Sequence, residues 1–391
     1  MEMLPKPEKA MPLSLGAKFF SLPLEIMFDI LFRIPTKDLI RLKCVCKSFL
    51  DLVSHPSFVD DHLHRAKSQF GIIGNMSNFP PEAADNKFHY FSFNFDGQGV
   101  TADYLSMDPE PYLSEKLGYK ITSILASCNG LLLLNWLFGD QPRLLVCNPT
   151  TRSSMVLPYP PSKGIDFFSW ALVHDDSIKK YKVIGMTNYN IDEPHHEHAR
   201  CFAFTLGCSR SWRAVATPHH LDEISKKSVA ANGKLHWIAS SEKYMEACRL
   251  CSIDIATEEF SEAPCPVHVD NALLHFLELN GSIYCTAGFS DKIEIWVLKD
   301  WDTKIWIKHH VLYRPETIDF CSWVDFQPIA IKESPHHQWD TTTTKLILRH
   351  HGRELLSYDL QSQEMSRIAV EIQGSIPNRF AVHVNSLVHW C

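Results

Sequence analysis

The chain has no run of about 18 apolar residues, the least that a membrane-spanning helix needs. Its longest candidate, Ile121 to Phe138, is interrupted by Asn129, Gly130 and Asn135. The N-terminus lacks a basic start followed by an apolar core, so no secretory signal is read there, and the cytosol or nucleus is the expected compartment. Positive charge is not in surplus: 38 Lys and Arg stand against 45 Asp and Glu, a formal charge of −7. That balance argues against a nucleic-acid-binding face and is compatible with basic protein partners. There is no G-x-S-x-G nucleophile elbow, no phosphate-cradling glycine loop and no H-E-x-x-H, and no pair of carboxylates stands out. An active site is therefore not expected, nor a cofactor.

Metal-ligand spacing is missing as well. The 12 cysteines form no regular framework, and Cys248-Arg249-Leu250-Cys251 is a lone CxxC without a second ligand pair. In a reducing compartment the cysteines read as buried thiols. His195-His196-Glu197-His198 comes nearest to a metal cluster. Adjacent residues face opposite sides of a strand, so only His196 and His198 could share an ion, and the preceding Asn188 to Glu193 reads as a polar loop. The doublets His219-His220, His309-His310, His336-His337 and His350-His351 read as a habit of composition.

What is present is an ordinary globular composition, 45% hydrophobic and 21% charged, on 391 residues. That length holds a small module and a second domain of about 300 residues. Residues 1–18, with Pro5, Lys6, Pro7, Glu8 and Lys9, read as a loose tail.

Phe20 to Arg65 reads as four short helices. Ser21 can cap the first, with Pro23 in its first turn. Leu22, Ile26, Ile30 and Ile34 recur at four-residue spacing, and Met27 and Leu31 widen the apolar stripe. Pro35 ends that helix, and Thr36 can cap a second carrying Leu39, Ile40 and Leu42. Val45, Phe49, Leu52 and Val53 mark a third; His55-Pro56 breaks it, and Phe58, Val59 and Leu63 begin a fourth. A core of about 45 residues is marginal alone. Such a module finishes burying its apolar surface on the chain's own main domain or on a partner, and periodicity does not decide which.

The elements Leu22-Pro23, Glu25-Ile26, Ile30-Leu31, Arg33-Ile34-Pro35, Leu39 and Val45-Cys46-Lys47-Ser48-Phe49 resemble the F-box, in order and at its spacing. His55-Pro56-Ser57-Phe58-Val59, followed by His62-Leu63, is similar to the plant form. One departure is Phe49, where plant F-boxes often carry Trp. The resemblance implies docking on a Skp adaptor, which ties the chain to a cullin, through Leu22, Pro23, Ile26, Ile30, Leu31, Ile34, Pro35, Leu39 and Val45. Some of these side chains must also hold the module's own helices together, and the sequence does not separate the two roles.

From about Phe70 onward short apolar runs alternate with turn residues. Asn129-Gly130, Asn232-Gly233 and Asn280-Gly281 each open an apolar or alternating run, a tight-turn signal because both residues tolerate positive φ. The three pairs are spaced by 103 and 48 residues. A period of about 50 residues is that of a kelch-type propeller blade. Five further phrases read strand, turn, strand, beginning at Leu144, Cys201, Leu250, Ile293 and Leu355. A β-sandwich with long hairpins is the alternative, and the recurrence argues against it.

Ser127-Cys128-Asn129-Gly130-Leu131-Leu132, Cys147-Asn148-Pro149-Thr150-Thr151, Tyr181-Lys182-Val183-Ile184, Ser211-Trp212-Arg213 and Asn385-Ser386-Leu387-Val388 resemble, in order, the plant F-box-associated domain. The expected fold is thus a small all-α module followed by a large all-β domain, a kelch-like β-propeller of about six blades. The expected organisation is a tail over 1–18, an F-box over 19–66 and an F-box-associated domain over 67–391.

This resemblance implies a non-catalytic substrate-recognition subunit of an SCF-type ubiquitin ligase, whose partners are the Skp adaptor, through it a cullin, and an unidentified protein target. Loops Tyr159 to Phe168, Asn188 to His198 and Ser334 to Thr344 are expected to meet the target at one face, with Phe167, Phe168, Tyr189 and Trp339, beside Pro160, supplying rigid contact area. Trp212, Trp237 and Trp296 sit in strand phrases and are expected to pack between blades. Two rivals stay open: an F-box protein acting outside a ligase as a tether, and a propeller enzyme with an incidental helical cap. The layout is also similar to the S-locus F-box group, whose targets include ribonucleases, basic partners that an acidic chain would suit.

Overall fold

The computed structural model describes residues 19–67, 70–75, 88–96, 99–107, 119–138, 141–158, 160, 167–187, 199–218, 221, 223–240, 248–267, 272–313, 326–334, 343–350, 354–368 and 379–390. The N-terminal module has four helices: α1 (Leu24–Leu31), α2 (Thr36–Leu42), α3 (Lys47–Val53) and α4 (Pro56–Ala66). Prolines start the first two. Pro23 and Pro35 occupy the N-cap positions with φ of −53° and −54°, one residue before the helices begin, where the sequence pointed to Ser21 and to Thr36. Proline's fixed φ presets the entry, and its carbonyl accepts the first helical N–H groups, those of Ile26 and Met27 at Pro23. Thr36 becomes the first helical residue, and its Oγ1 lies 3.4 Å from His62 Nε2 of α4. The core holds Met27, Phe28, Leu31, Leu39, Leu52, Val53 and Phe58. Phe58 stacks on Phe32 at 4.8 Å and meets Phe28 edge-on at 5.0 Å.

The rest is a six-bladed β-propeller of antiparallel sheets, as expected from the period. Blade 1 begins with β1 (Gly71–Asn75), β2 (Phe88–Asp96) and β3 (Gly99–Met107). Blade 2 is β4 (Tyr119–Cys128), β5 (Leu131–Phe138), β6 (Gln141–Asn148) and β7 (Ser153–Leu157). Blade 3 is β8 (Phe167–Asp175), β9 (Lys180–Thr187), β10 (Cys201–Thr205) and β11 (Arg213–Val215). In blade 4 the first strand is split into β12 (Glu223–Ile224) and β13 (Val229–Ala231), both paired with β14 (Lys234–Ser240), then β15 (Arg249–Asp254) and β16 (Phe260–Pro264). Blade 5 is β17 (Leu273–Leu279), β18 (Ser282–Gly288), β19 (Lys292–Asp300) and β20 (Ile305–Tyr313). Blade 6 is β21 (Phe326–Ser334), β22 (Thr343–His350), β23 (Glu354–Asp359) and β24 (Met365–Arg367). First strands of successive blades touch, as β4 does β8 and β17 does β21, so they surround the axis.

The ring closes through the chain's far end. β25 (Arg379–His383) pairs with β1, from Gly71 opposite His383 to Asn75 opposite Arg379, and takes the axial place of blade 1 beside β4. The Asn-Gly pairs all turn from first to second strand, with φ of 51° and 86° at 129–130, 49° and 71° at 232–233, and 50° and 79° at 280–281. The spacings of 103 and 48 residues are therefore two blades and one. All these turns lie on one face, the face that carries α4.

Apolar side chains fill the clefts between blades. Trp212 packs between blades 2 and 3 and donates to the Pro158 carbonyl at 2.6 Å; Trp237, fully buried in blade 4, donates to Ser169 Oγ of blade 3 at 2.9 Å. Trp296 lies against the cluster between blades 4 and 5. The CxxC is split: Cys251 is buried on its own, while Cys248 Sγ lies 3.2 Å from Cys265 Sγ across the sheet. Burial pushes the Cys128 and Cys251 thiols up to about 12. Cys44, Cys46 and Cys208 are exposed, against the expectation of burial, because they sit on helix ends and a turn. No group of three His, Cys, Asp or Glu among the described residues could hold a metal ion, and no described helix is long and apolar enough to cross a membrane.

Candidate partner-binding surfaces

Helix α1 has two apolar faces where the sequence showed one broad stripe. Met27, Phe28 and Leu31 point into the module, while Leu22, Ile26 and Ile30 follow one another along the outside, at 37%, 47% and 41% exposure. Val45, between α2 and α3, is 66% exposed, and Pro23 and Pro35 are exposed. Ile34 is half-buried. Leu31 and Leu39 are 1% and 0% exposed. They belong to the module's core and have no side-chain surface to offer a partner in this conformation, which corrects the single list drawn from the sequence. The reason is register: Ile30 and Leu31 differ by 100° around the helix, so one faces out when the other faces in. Leu24, at the exposed N-terminal end of the inward series, and Leu50 of α3 are also exposed, and the sequence reading did not name them. Leu50 carried a signal, an apolar residue outside the core period of Leu52 and Val53; Leu24 did not, because it shares the period of Met27, Phe28 and Leu31.

The module's other side is bound to the propeller. Val59 and Leu63 of α4 pack on the cluster between blades 2 and 3, and Leu387 enters the helical core. The strap of residues 384–390 that follows β25 thus runs between the two parts. Asn148 Nδ2 donates to the carbonyls of Ser386 and Val388 at 3.1 and 2.9 Å, while its Oδ1 accepts the Thr150 and Thr151 N–H groups. Ser386 Oγ donates to the Asn129 carbonyl at 2.6 Å. Gly130 sits so close that a Cβ there would overlap Ser386, and its φ of 86° already disfavours a side chain. Three phrases far apart in sequence, around Asn129, Asn148 and Ser386, therefore meet as one latch.

The expected target-binding residues divide differently. Phe167 and Phe168 open β8, on the propeller face away from the helices. Tyr189 and Trp339 lie outside the described residues. The three expected loops do not spring from one face. Those at 159–168 and 188–198 leave strand ends on the far face, whereas β21 ends and β22 begins on the helical face, because a first-to-second connection always returns on the side of the Asn-Gly turns.

Residues 84–388 match the F-box associated beta propeller domain. The chain belongs to that family. Residues 19–61 match the F-box domain, so the outer row of α1 is a face of an F-box. Among Arabidopsis thaliana proteins, F-box protein CPR1 is 24% identical over 95% of this chain and 89% of its own. An F-box only protein 10 is 24% identical over 90% and 83%. An F-box/kelch-repeat protein is 29% identical over 61% of each chain.

Proposed function

We propose that this F-box protein is the substrate-recognition subunit of an SCF-type ubiquitin ligase. The F-box docks on a Skp adaptor, which connects it to a cullin, and the propeller holds the protein to be modified. One observation carries the reading. Six of the 13 large apolar side chains exposed among the described residues, Leu22, Leu24, Ile26, Ile30, Val45 and Leu50, crowd onto the small helical module. Val59 and Leu63 are already covered by the propeller, so the exposed side chains are what a partner groove would cover. The chain takes no part in bond making. It raises the local concentration of the target beside the transfer machinery, in the cytosol or nucleus.

Rigid coupling suits that task. A receptor swinging freely on its adaptor would present the target at many distances, whereas the strap fixes one. The test is a pull-down from plant extract with the wild type and with Ile26→Asp/Ile30→Asp, whose replaced side chains are exposed. Loss of adaptor and cullin with other captured proteins retained supports the reading. A wild-type chain that captures no adaptor overturns it. Depletion of a captured protein that stops when the proteasome is inhibited separates a ligase subunit from a tether.

A further inference from the structure

The innermost strand of blade 4 is broken. β12 pairs with Ala239 and Ser240 and β13 resumes at His236, so four residues, 225–228, stand opposite two. A bulge of this kind turns a side chain out of the ladder. The bulge is fastened: Ser225 Oγ bonds the Ile238 N–H and the Lys227 carbonyl, and Ser169 Oγ of blade 3 donates to the Lys226 carbonyl. The side chain it directs is Lys227, whose Nζ lies 4.5 Å from the centre of the Phe380 ring. Phe380 is in β25, the axial strand of blade 1, which stands across the ring from blade 4. Lys227 therefore reaches over the propeller axis.

A second cation meets the same ring. Arg349 of blade 6 has its guanidinium carbon 5.8 Å from the Phe380 centre, and its Nη1 donates to Gln327 Oε1, a neutral acceptor. Phe380 and Gln327 are each the second residue of an axial strand that starts on the far face, so the cluster lies toward the mouth away from the F-box. Lys227 keeps solvent contact along the axis while protein surrounds it, and burial, helped by the Arg349 charge, pulls its pKa down to about 8. Among the described residues no carboxylate pairs with Lys227. On blade 5, His275 has an Nε2 that is buried without a hydrogen-bond partner among those residues, and burial plus the Lys227 charge hold it neutral. An anion entering this mouth would meet two gathered positive charges with no acid to displace from Lys227.

We propose that this axial mouth is an anion-binding site that takes one carboxylate- or phosphate-bearing side chain of the target protein between Lys227 and Arg349. The proposal rests on the propeller being the target receptor. The phenyl ring gathers the two cations by cation–π attraction.

The test uses the full chain purified with a Skp adaptor and short fluorescent peptides read by anisotropy. One pair is glutamate-rich against its glutamine counterpart; the other carries a single phosphoserine against serine. At least one anionic peptide is expected to bind about tenfold tighter than its neutral partner, and Lys227→Gln/Arg349→Gln to remove that difference. Which pair shows the difference distinguishes a carboxylate from a phosphate. Lys179→Gln, an exposed lysine on the opposite face, and Lys227→Arg are expected to retain it. No preference for either anionic peptide, or a preference that survives in the double variant, overturns the site. Adaptor capture and targets recovered from extract by the double variant are read in parallel. Targets retained at wild-type level sink the axial site and leave the receptor reading standing.

Discussion

Asn148 performs a task that an aspartate at the same turn could not. Asp254, Asp300 and Asp359 occupy the equivalent place in blades 4, 5 and 6, each accepting backbone N–H groups from its own turn. Asn148 Oδ1 does the same, but its amide also offers two donors, and both go to strap carbonyls. Asn148→Asp would keep the turn and point a carboxylate at two buried acceptors. Each lost bond leaves a buried carbonyl unsatisfied, so the expected cost is about 2–4 kcal/mol. Urea unfolding would show it as a lower midpoint, with faster hydrogen exchange at 384–390. A wild-type midpoint would mean that the latch does not hold the strap. Lys182 is the other residue with much to lose. Fully inside the joint between blades 3 and 4, it donates to the Ile255 carbonyl at 2.7 Å and pairs with Asp175 and Glu258 at 2.7 and 3.1 Å. Lys182→Met would leave buried Asp175 without a cation, held only by Ser177, while Glu258 keeps Arg213, a loss of about 3 kcal/mol readable by thermal melting.

At the scale of elements, α1 is where stability and binding separate. Leu31→Ala removes a core side chain and is expected to cost about 2–5 kcal/mol. Ile30→Asp changes an exposed position one residue away; it is expected to leave the melting temperature close to the wild type's while abolishing adaptor capture. Equal effects of the two on both readouts would contradict the two-faced helix. Four-residue spacing exposed the helix but could not divide its faces, because both are apolar and the division depends on where α2 to α4 pack. The Asn-Gly turns were legible for a different reason: positive φ leaves a local residue signature. The turns from third to fourth strand were not. Blade 3 uses Gly207 there, but in blades 2, 4, 5 and 6 the left-handed residues are Arg152, Glu258, Lys304 and Gln363, none of them Gly or Asn, and the defining feature is an Asn or Asp four residues earlier. That residue's carboxylate or amide oxygen organises the turn and allows the strained φ to fall on an arbitrary residue. The broken first strand of blade 4 was equally hidden, since Ser225 to Ser228 carry no bulge signature that distinguishes them from an ordinary loop.

For the whole molecule, closure by β25 makes the ring depend on a pairing between residues some three hundred positions apart, which no local pattern announces. It also places His383 where it must stay neutral. His383 is buried, its Nδ1 lies 2.9 Å from Ser127 Oγ, and burial lowers its pKa from 6.5 to about 3. His236, buried in blade 4 between Ser252 Oγ and the Ala231 carbonyl, is lowered to about 4, again mainly by burial. For both, the unfolded chain takes up a proton near pH 6.5 and the folded chain does not. Their stabilisation is complete above that pH and declines as the pH falls from 6.5 toward the folded values, by about 1.4 kcal/mol each at pH 5.5. The acids respond later. Burial raises Asp175 and Glu258, but hydrogen bonds from Lys182 to both, with Ser177 on the first and Arg213 on the second, outweigh it and hold both below their ordinary range. Their contribution persists above about pH 4 and is lost only as the pH drops through those depressed values. Acid should therefore weaken the propeller in two stages. Urea midpoints measured from pH 7.5 to 3 should begin to fall below pH 6.5, well before carboxylates titrate, and fall again below pH 4. In His236→Gln/His383→Gln the first stage should shrink, with His275 and His62, also lowered by burial, supplying what is left, while the second remains, whatever the variant's stability at pH 7.5. A first stage unchanged in that variant would show that these two histidines do not set the fold's tolerance of mild acid.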